Sequence, residues 1–367
     1  AEELRDASSP SLDAGGAWLI PGLVDTHKDG LEAEVNPRPL VGFPPSFALA
    51  NFERRAVAAG VTTEFHAITF ADMTRNMRSI KGAVAKANAV LESGLNRPVE
   101  HHILHRCDVW SPDGLEPIFA SMARSRVRAM SLNDHTPGQG QMRNIARYKE
   151  RTVLARDRNP AVDIETDIAR QMEDRVRDTE TVPFVHRRAR EELARQPYVL
   201  LSHDDDTAEK VDEMLALGAA VAEFPVTLEA ARRAREHGMW ITVGAPNIAR
   251  GGSVSGNQSA EELVAEELAD IICADYHAPS MLYAAWKLVN RGLCEMPEAI
   301  AKLTVNPARA FGMLDRGRIA PDQRADLCLV QEDGGVPRVT AVLRGGAVVC
   351  SIGTVEAEVL APAGTGG

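Results

Sequence analysis

Eight short runs rich in Val, Ile and Leu, each followed by a longer amphipathic segment, constrain this chain more than any other feature. In order they are LIPGLVDTH, GVTTEFHAIT, EHHILHRCDV, VRAMSLND, YVLLSH, AAVAEFP, WITVGAP and DIICADY. Such runs read as strands of a parallel sheet, whose neighbours must be joined by crossover segments. The segments between them have helix ends. SFALANFERRAVAA, residues 46–59, carries apolar positions at helical spacing and stops at Gly60, while residues 227–237 open on Thr227 as a cap and stop at Gly238. Eight strand–helix units in succession predict an α/β fold closed into a (β/α)8 barrel. The other solution is an open doubly wound sheet, and no Gly-x-Gly-x-x-Gly follows a strand to support it.

The barrel is expected over residues 19–314 of the 367. Residues 139–195, dense in Arg, Glu and Asp, interrupt the rhythm between the fourth and fifth strands. They predict inserted helices, either a solvated excursion or oligomer contact, or a lid over the site. From residue 315 to 367 the pattern turns to short strands and turns, as in ADLCLVQEDGGVPRVTAVLRGGAVV. A small β-sandwich domain built from the chain ends is expected there, with residues 1–18 as the remnant of its N-terminal part. Strand lengths in such a unit imply that roughly thirty further residues precede Ala1.

A formal net charge of −11 argues against nucleic acid and anionic membrane as partners. It leaves room for a phosphorylated small molecule in a locally basic pocket. The five cysteines, Cys107, Cys273, Cys294, Cys328 and Cys350, form no Cys-x-x-Cys pair and fit the reduced thiols of a cytoplasmic protein. No run approaches the roughly 20 apolar residues of a membrane span.

Catalytic groups of such a barrel sit at the C-terminal ends of its strands. Here those ends carry His27 and Asp29, Asp108, Asp134 and His135, His203 and Asp204, Glu223, and Asp275. His27 and Asp29 are two apart, so an extended chain projects both to one side. With His203, Glu223 and Asp275 they make five potential ligands at one mouth, too many polar groups to be core packing. Imidazole with carboxylate suits Zn, Mn or Fe better than calcium. A divalent metal, Zn above all, is expected as one or two ions, with Asp108 in reach if two are present. His101, His102 and His105 alternate between barrel faces, so structural roles are expected for two of the three. His66 is expected to be a satisfied core histidine, and His186 and His237 to lie on solvated helix faces.

PGLVDTH, the eight-unit rhythm, Asp275 on the last strand and the tail TVNPARAFGMLDRGRIAPDQRADLCLV together resemble the metal-dependent amidohydrolase superfamily, over essentially the whole chain. Members usually carry His-x-His on the first strand and a histidine on the sixth, where this chain has Asp29 and Glu223. Those departures, with PGLVDTHKDGLEAEVNPRP, HRCD, SLNDHTPGQGQ, SHDDDT, AEFPVTLEAA, GAPNIARGGSVSGN and DYHAPSML, resemble one branch, which hydrolyses a ribosyl 5-triphosphate to the 5-phosphate and pyrophosphate in phosphonate utilisation. The histidine spacing of HHILHRCD is shifted, so the third-strand ligand stays open.

The resemblance implies that His27, Asp29, Asp108, His203, Glu223 and Asp275 hold metal. It further implies that Asp275 moves the proton of the attacking water and that His135, or His277, serves the leaving group or a phosphate. A triphosphate needs cations and backbone donors, for which Arg38, Arg106, Arg143, Lys149 and Arg250 are candidates. Asn247 and the Gly/Ser-rich loop 248–257 join them as substrate-binding candidates. A homo-oligomer is expected. The alternative on the same scaffold is hydrolysis of a C–N bond, as in a nucleobase deaminase.

Overall fold

The computed structural model describes residues 14–38, 40–73, 78–154, 164–253 and 255–352. Parts of the expected chain-end unit (1–13 and 353–367) and of the insertion (155–163) lie outside the described residues.

Among the described residues, twelve strands form two sheets. They are β1 (Trp18–Pro21), β2 (Leu23–Lys28), β3 (Val61–Thr69), β4 (Glu100–Asp108), β5 (Ala129–Asn133), β6 (Val199–His203), β7 (Val221–Glu223), β8 (Trp240–Gly244), β9 (Ile271–Cys273), β10 (Leu327–Asp333), β11 (Val336–Arg344) and β12 (Ala347–Ser351). Strands β2 to β9 pair in parallel and in chain order, as the eight runs predict. The two edges meet at their C-terminal ends through a bridge between Lys28 and Asp275, where the Asp29 N–H donates to the Asp275 carbonyl at 2.7 Å. This nearly closed barrel is filled at its floor by Val24, Phe65, Leu104, Leu201 and Val221, packed with Phe311 and Met313. Polar groups finish that end: Arg316 Nη1 donates to Thr63 Oγ1 and Glu100 Oε2, both at 3.0 Å. Apolar packing therefore occupies the floor, and the polar strand ends are left to the mouth.

Helix ends obey the local signals. Thr227 Oγ1 accepts the Ala230 N–H at 3.1 Å to cap the helix Leu228–Glu236, and Gly238 follows with φ 70°. The helix Pro45–Ala58 stops before Gly60, whose φ of 90° an L-residue rarely adopts. Between β5 and β6 lie the helices Ile145–Leu154, Ile164–Arg177 and Thr181–Arg195, within the expected interruption.

The chain ends do build a small β unit beside the barrel, and its described residues form one antiparallel sheet, β1-β10-β11-β12. Barrel helices pack on it: β11 meets Ser280–Asn290 and Pro45–Ala58, and Trp18 meets Trp286 edge-on at 6.4 Å. The first apolar run is divided, for Trp18–Pro21 pairs with β10 while Leu23–Lys28 enters the barrel. The strand partner expected before residue 19 thus comes from the start of that run.

Gly22 makes the division possible. Its N–H donates to the Asp326 carbonyl at 2.7 Å, and a Cβ there would lie 2.4 Å from Thr62 Oγ1. Thr62 is buried and β-branched, with little freedom to retreat. Gly22→Ala is therefore expected to cost about 1–3 kcal/mol by overpacking, measurable by chemical denaturation.

Candidate metal centre

The mouth is organised around Glu223, the last residue of the short β7 and buried. Its Oε1 accepts from His27 Nδ1 at 2.7 Å, and its Oε2 accepts from His203 Nδ1 at 2.8 Å and from Ser131 Oγ at 3.1 Å. Both Nδ1 atoms are thereby fixed, which leaves Nε2 of each ring for other partners. The imidazoles stack with centroids 5.8 Å apart, and Phe224 packs edge-on to both, at 5.0 and 5.4 Å. Phe224 holds that place from a left-handed backbone, φ 56°. Such strain persists where surrounding contacts over-determine the conformation.

Asp29 stands on the other side of His27, with Oδ1 3.8 Å from Nε2. Arg106, buried on β4, donates from Nη1 to Asp29 at 3.1 and 3.4 Å, and its Nη2 lies 3.5 Å from His203 Nε2. Asp275 lies just past β9 at φ 53° and lines the same cavity. Asp204, also left-handed at φ 57°, places Oδ2 3.4 Å from His203 Nε2, where it has no hydrogen-bond partner.

Electrostatics separate these groups. Burial disfavours the His27 cation, yet Glu223 and Asp29 outweigh it and push the imidazole up to about 10. The reverse holds for His203, which burial, aided by Arg106, pulls down to about 3 despite Glu223. Burial raises Asp275 to about 6, with Asp29 adding to the rise and His27 opposing it. Asp29 and Glu223 resist desolvation through Arg106 and His27 respectively, and both stay far below the usual carboxylate range. Pairs of titratable groups driven apart in this way are characteristic of sites that do chemistry.

Three ligand groups meet here, each with one atom per residue lying within 4.8 Å of the others: His27, His203 and Glu223; His27, Asp29 and Asp275; and His135, His203 and Asp204. A mixed nitrogen and oxygen set of this kind fits a divalent transition ion, and the partnerless Asp204 oxygen adds an acceptor with no proton donor to occupy it.

Other expected site residues are placed differently. Asp108 stands at the edge of this cluster: its Oδ1 accepts the Trp110 N–H at 2.9 Å, and its Oδ2 lies 4.0 Å from His135 Nδ1. His135 lines the cavity, edge-on to His203. Among the expected substrate contacts, Arg106, Asn247 and Arg250 line the cavity of about 320 Å³, whereas Arg38, Arg143 and Lys149 do not. Arg38 and Arg143 are exposed, and Lys149 pairs with Glu165 at 2.9 Å within the insertion. His277 lies beside the neighbouring apolar groove. Asn247 Oδ1 accepts the Ala260 N–H at 3.1 Å, so its carbonyl already serves the next helix.

Sequence reasoning overlooked several contributors. Ser131 and Phe224 had no signal beyond adjacency to a strand end. Gln141 and Tyr276 join the wall as well, beside Ser253, Ser255 and Asn257 of the expected Gly/Ser-rich loop, and Asn257 Nδ2 donates to the Gln141 carbonyl at 3.3 Å, joining that loop to the insertion. The insertion is also pinned to the loop after β6, since the Gly140 N–H donates to Asp206 Oδ2 at 2.9 Å. Of the histidines on β4, His105 is structural, between the Ala129 carbonyl and Ser121 Oγ at 2.9 Å each, and His102 lies 3.1 Å from Glu100 at the floor. His186 is buried 3.1 Å from Glu213, contrary to the solvated face expected, because its helix packs inward there.

Comparison with known proteins agrees with this architecture. Residues 115–350 match the model of the amidohydrolase family. The chain is 35% identical over 343 residues to the alpha-D-ribose 1-methylphosphonate 5-triphosphate diphosphatase of Escherichia coli (strain K12), covering 92% of this chain and 89% of that protein. An adenine deaminase of Nitratidesulfovibrio vulgaris (strain DP4) is 26% identical over 356 residues, 93% of this chain but 52% of the relative. The crystal structure of enamidase superposes with a TM-score of 0.61 at 16% identity, over 95% of this chain and 86% of that one, a likeness of fold alone. A barrel with acidic and imidazole groups converging at its mouth, and a family match over more than half its length, place this chain in the amidohydrolase family.

Proposed function

We propose that this protein is a metal-dependent hydrolase that cleaves a ribosyl 5-triphosphate, α-D-ribose 1-methylphosphonate 5-triphosphate, to the 5-phosphate and pyrophosphate in phosphonate catabolism. The observation that carries the reading is 35% identity across 92% of the chain to an enzyme named for that reaction. Asp29 and Glu223, in place of two histidines, support it as well.

His27, Asp29, His203 and Asp275 are the residues proposed to hold the ion, Zn first among candidates. Glu223 orients both imidazoles in the manner of carboxylates that hold metal-binding histidines. Asp108 keeps a supporting place beside His135. An ion bound here would supply Lewis acidity, lowering the pKa of a water and offsetting charge on phosphoryl oxygens. The protein's own residues supply the rest. Asp275, which lines the cavity beside the other proposed ligands, is the carboxylate proposed to take the water's proton. Arg106, tied to Asp29, sets the position of that carboxylate and offers positive charge at the floor of the cavity. Arg250 and the loop about Gly252 and Ser253 face the cavity where a polyphosphate would extend. His135 stands where it can meet the leaving pyrophosphate. Five unpaired cysteines support a reducing cytoplasmic setting, and among the described residues no helix is long and apolar enough to cross a membrane.

The test is a pair of coupled assays on the zinc-loaded protein. Pyrophosphate released from the ribosyl triphosphate, abolished by chelation and restored by Zn²⁺, is expected; ammonia from adenine or cytosine without pyrophosphate would overturn the reading. Arg250→Ala is expected to raise KM by roughly tenfold or more, the equivalent of losing one charge-assisted hydrogen bond of about 1.5–3 kcal/mol. An unchanged KM would remove Arg250 from substrate binding.

A further inference from the structure

A second cluster of imidazole and carboxylate lies on the outer side of the barrel wall. Phe65 belongs to the floor packing inside, so the alternation of β3 turns Glu64 and His66 outward, beneath the helix Pro45–Ala58. His101 joins them from the adjacent β4, and one ligand atom from each of the three lies within 4.8 Å of the other two. All three are buried, and none lines the mouth cavity.

Two features distinguish this cluster from a satisfied hydrogen-bond network. His66 Nε2 lies 3.0 Å from His101 Nδ1, and His101 Nε2 lies 3.0 Å from Glu53 Oε2. That chain leaves Glu64 Oε1 and Glu64 Oε2 with no hydrogen-bond partner. A buried polar atom in that condition is destabilising, and a carboxylate more so. Glu53, held by Arg97 at 2.7 and 3.1 Å, has the position of a carboxylate that fixes the far nitrogen of a metal-binding histidine. Two nitrogens each about 2.0–2.1 Å from a tetrahedral ion stand about 3.3 Å apart, close to the 3.0 Å found between His66 and His101.

We propose that Glu64, His66 and His101 form a structural site for one divalent transition-metal ion, separate from the mouth. Two imidazoles and a carboxylate select zinc-like ions over calcium or magnesium. Enclosure beneath the helix leaves no path for a substrate and makes the role structural, pinning Pro45–Ala58 to β3 and β4. The neighbouring charges are of both signs: Lys28 Nζ sits 5.8 Å from the centre of the Phe52 ring, and the Asp25 Oδ2 is without a partner. The site stands independently of the reaction proposed above.

The probe is Zn²⁺. Full-length protein is stripped with chelator, reloaded, desalted and assayed for zinc per chain, alongside two variants. Glu64→Gln/His66→Gln is expected to hold one equivalent less than the parent, and His27→Asn/Asp29→Asn to lose mouth zinc while retaining one equivalent. Equal zinc in the Glu64→Gln/His66→Gln variant and the parent overturns the proposal. Should that variant fail to fold, anomalous diffraction at the zinc edge from the reloaded parent decides. A peak bounded by Glu64, His66 and His101 supports the site, and peaks at the mouth alone overturn it.

Discussion

Asp275→Asn is expected to lower kcat for pyrophosphate release by about 10²–10⁴-fold, the usual contribution of a positioned general acid or base. Asparagine is the informative replacement because residue 275 has φ 53°, a conformation that Asn tolerates better than most residues. The backbone carbonyl that accepts the Asp29 N–H and closes the barrel is untouched by the change. Fold and denaturation midpoint should therefore stay near those of the parent while the carboxylate's chemistry is lost. A kcat within threefold of the parent would remove Asp275 from proton transfer. Zinc content measured on the same sample separates its two proposed roles, since retained zinc assigns the loss to proton transfer and depleted zinc to ligation.

The second large effect is expected at Glu223. Its two oxygens accept hydrogen bonds from the Nδ1 atoms of His27 and His203, residues 176 apart in sequence. Glutamine preserves the volume but has one acceptor oxygen and an amide that donates, so it can satisfy one Nδ1–H and must oppose the other. Glu223→Gln is expected to weaken zinc affinity by about 10–100-fold, with activity partly recovered at high zinc. Affinity is read by competition with a chromophoric chelator. A zinc affinity equal to the parent's would mean that Glu223 orients neither histidine in the loaded protein.

Interpretation of either variant depends on the ligand set, and the strand ends differ in how far they announce it. His27, His203, Glu223 and Asp275 terminate clean apolar runs, so the rule placing functional groups at barrel strand ends suffices to bring them together. Asp108 also terminates its strand, yet one of its oxygens folds back onto the Trp110 backbone and the other reaches only the edge of the cluster, 4.0 Å from His135 Nδ1. A strand end determines which mouth a residue reaches, whereas the turn after it determines where the side chain points.

The cations show the same limit. Arg38, Arg143 and Lys149 occupy loops or the insertion next to strand ends, and proximity along the chain makes them attractive phosphate ligands. They do not line the cavity, while Arg106, inside a strand, is committed to Asp29. Long side chains on loops take directions set by contacts remote in sequence, such as the pairing of Lys149 with Glu165.

The eight parallel strands, their order and their polar ends are legible along the chain, because strand periodicity, helix capping and the one-sided placement of functional groups are local properties written residue by residue. Packing across the fold was needed to bring Glu223 to two histidines, to divide the first run between two sheets at Gly22, and to bring Glu64 and His66 to His101 behind the wall. Each of these depends on the separation of atoms from different strands to within an ångström. Barrel closure and helix packing set that separation, and no local pattern records it.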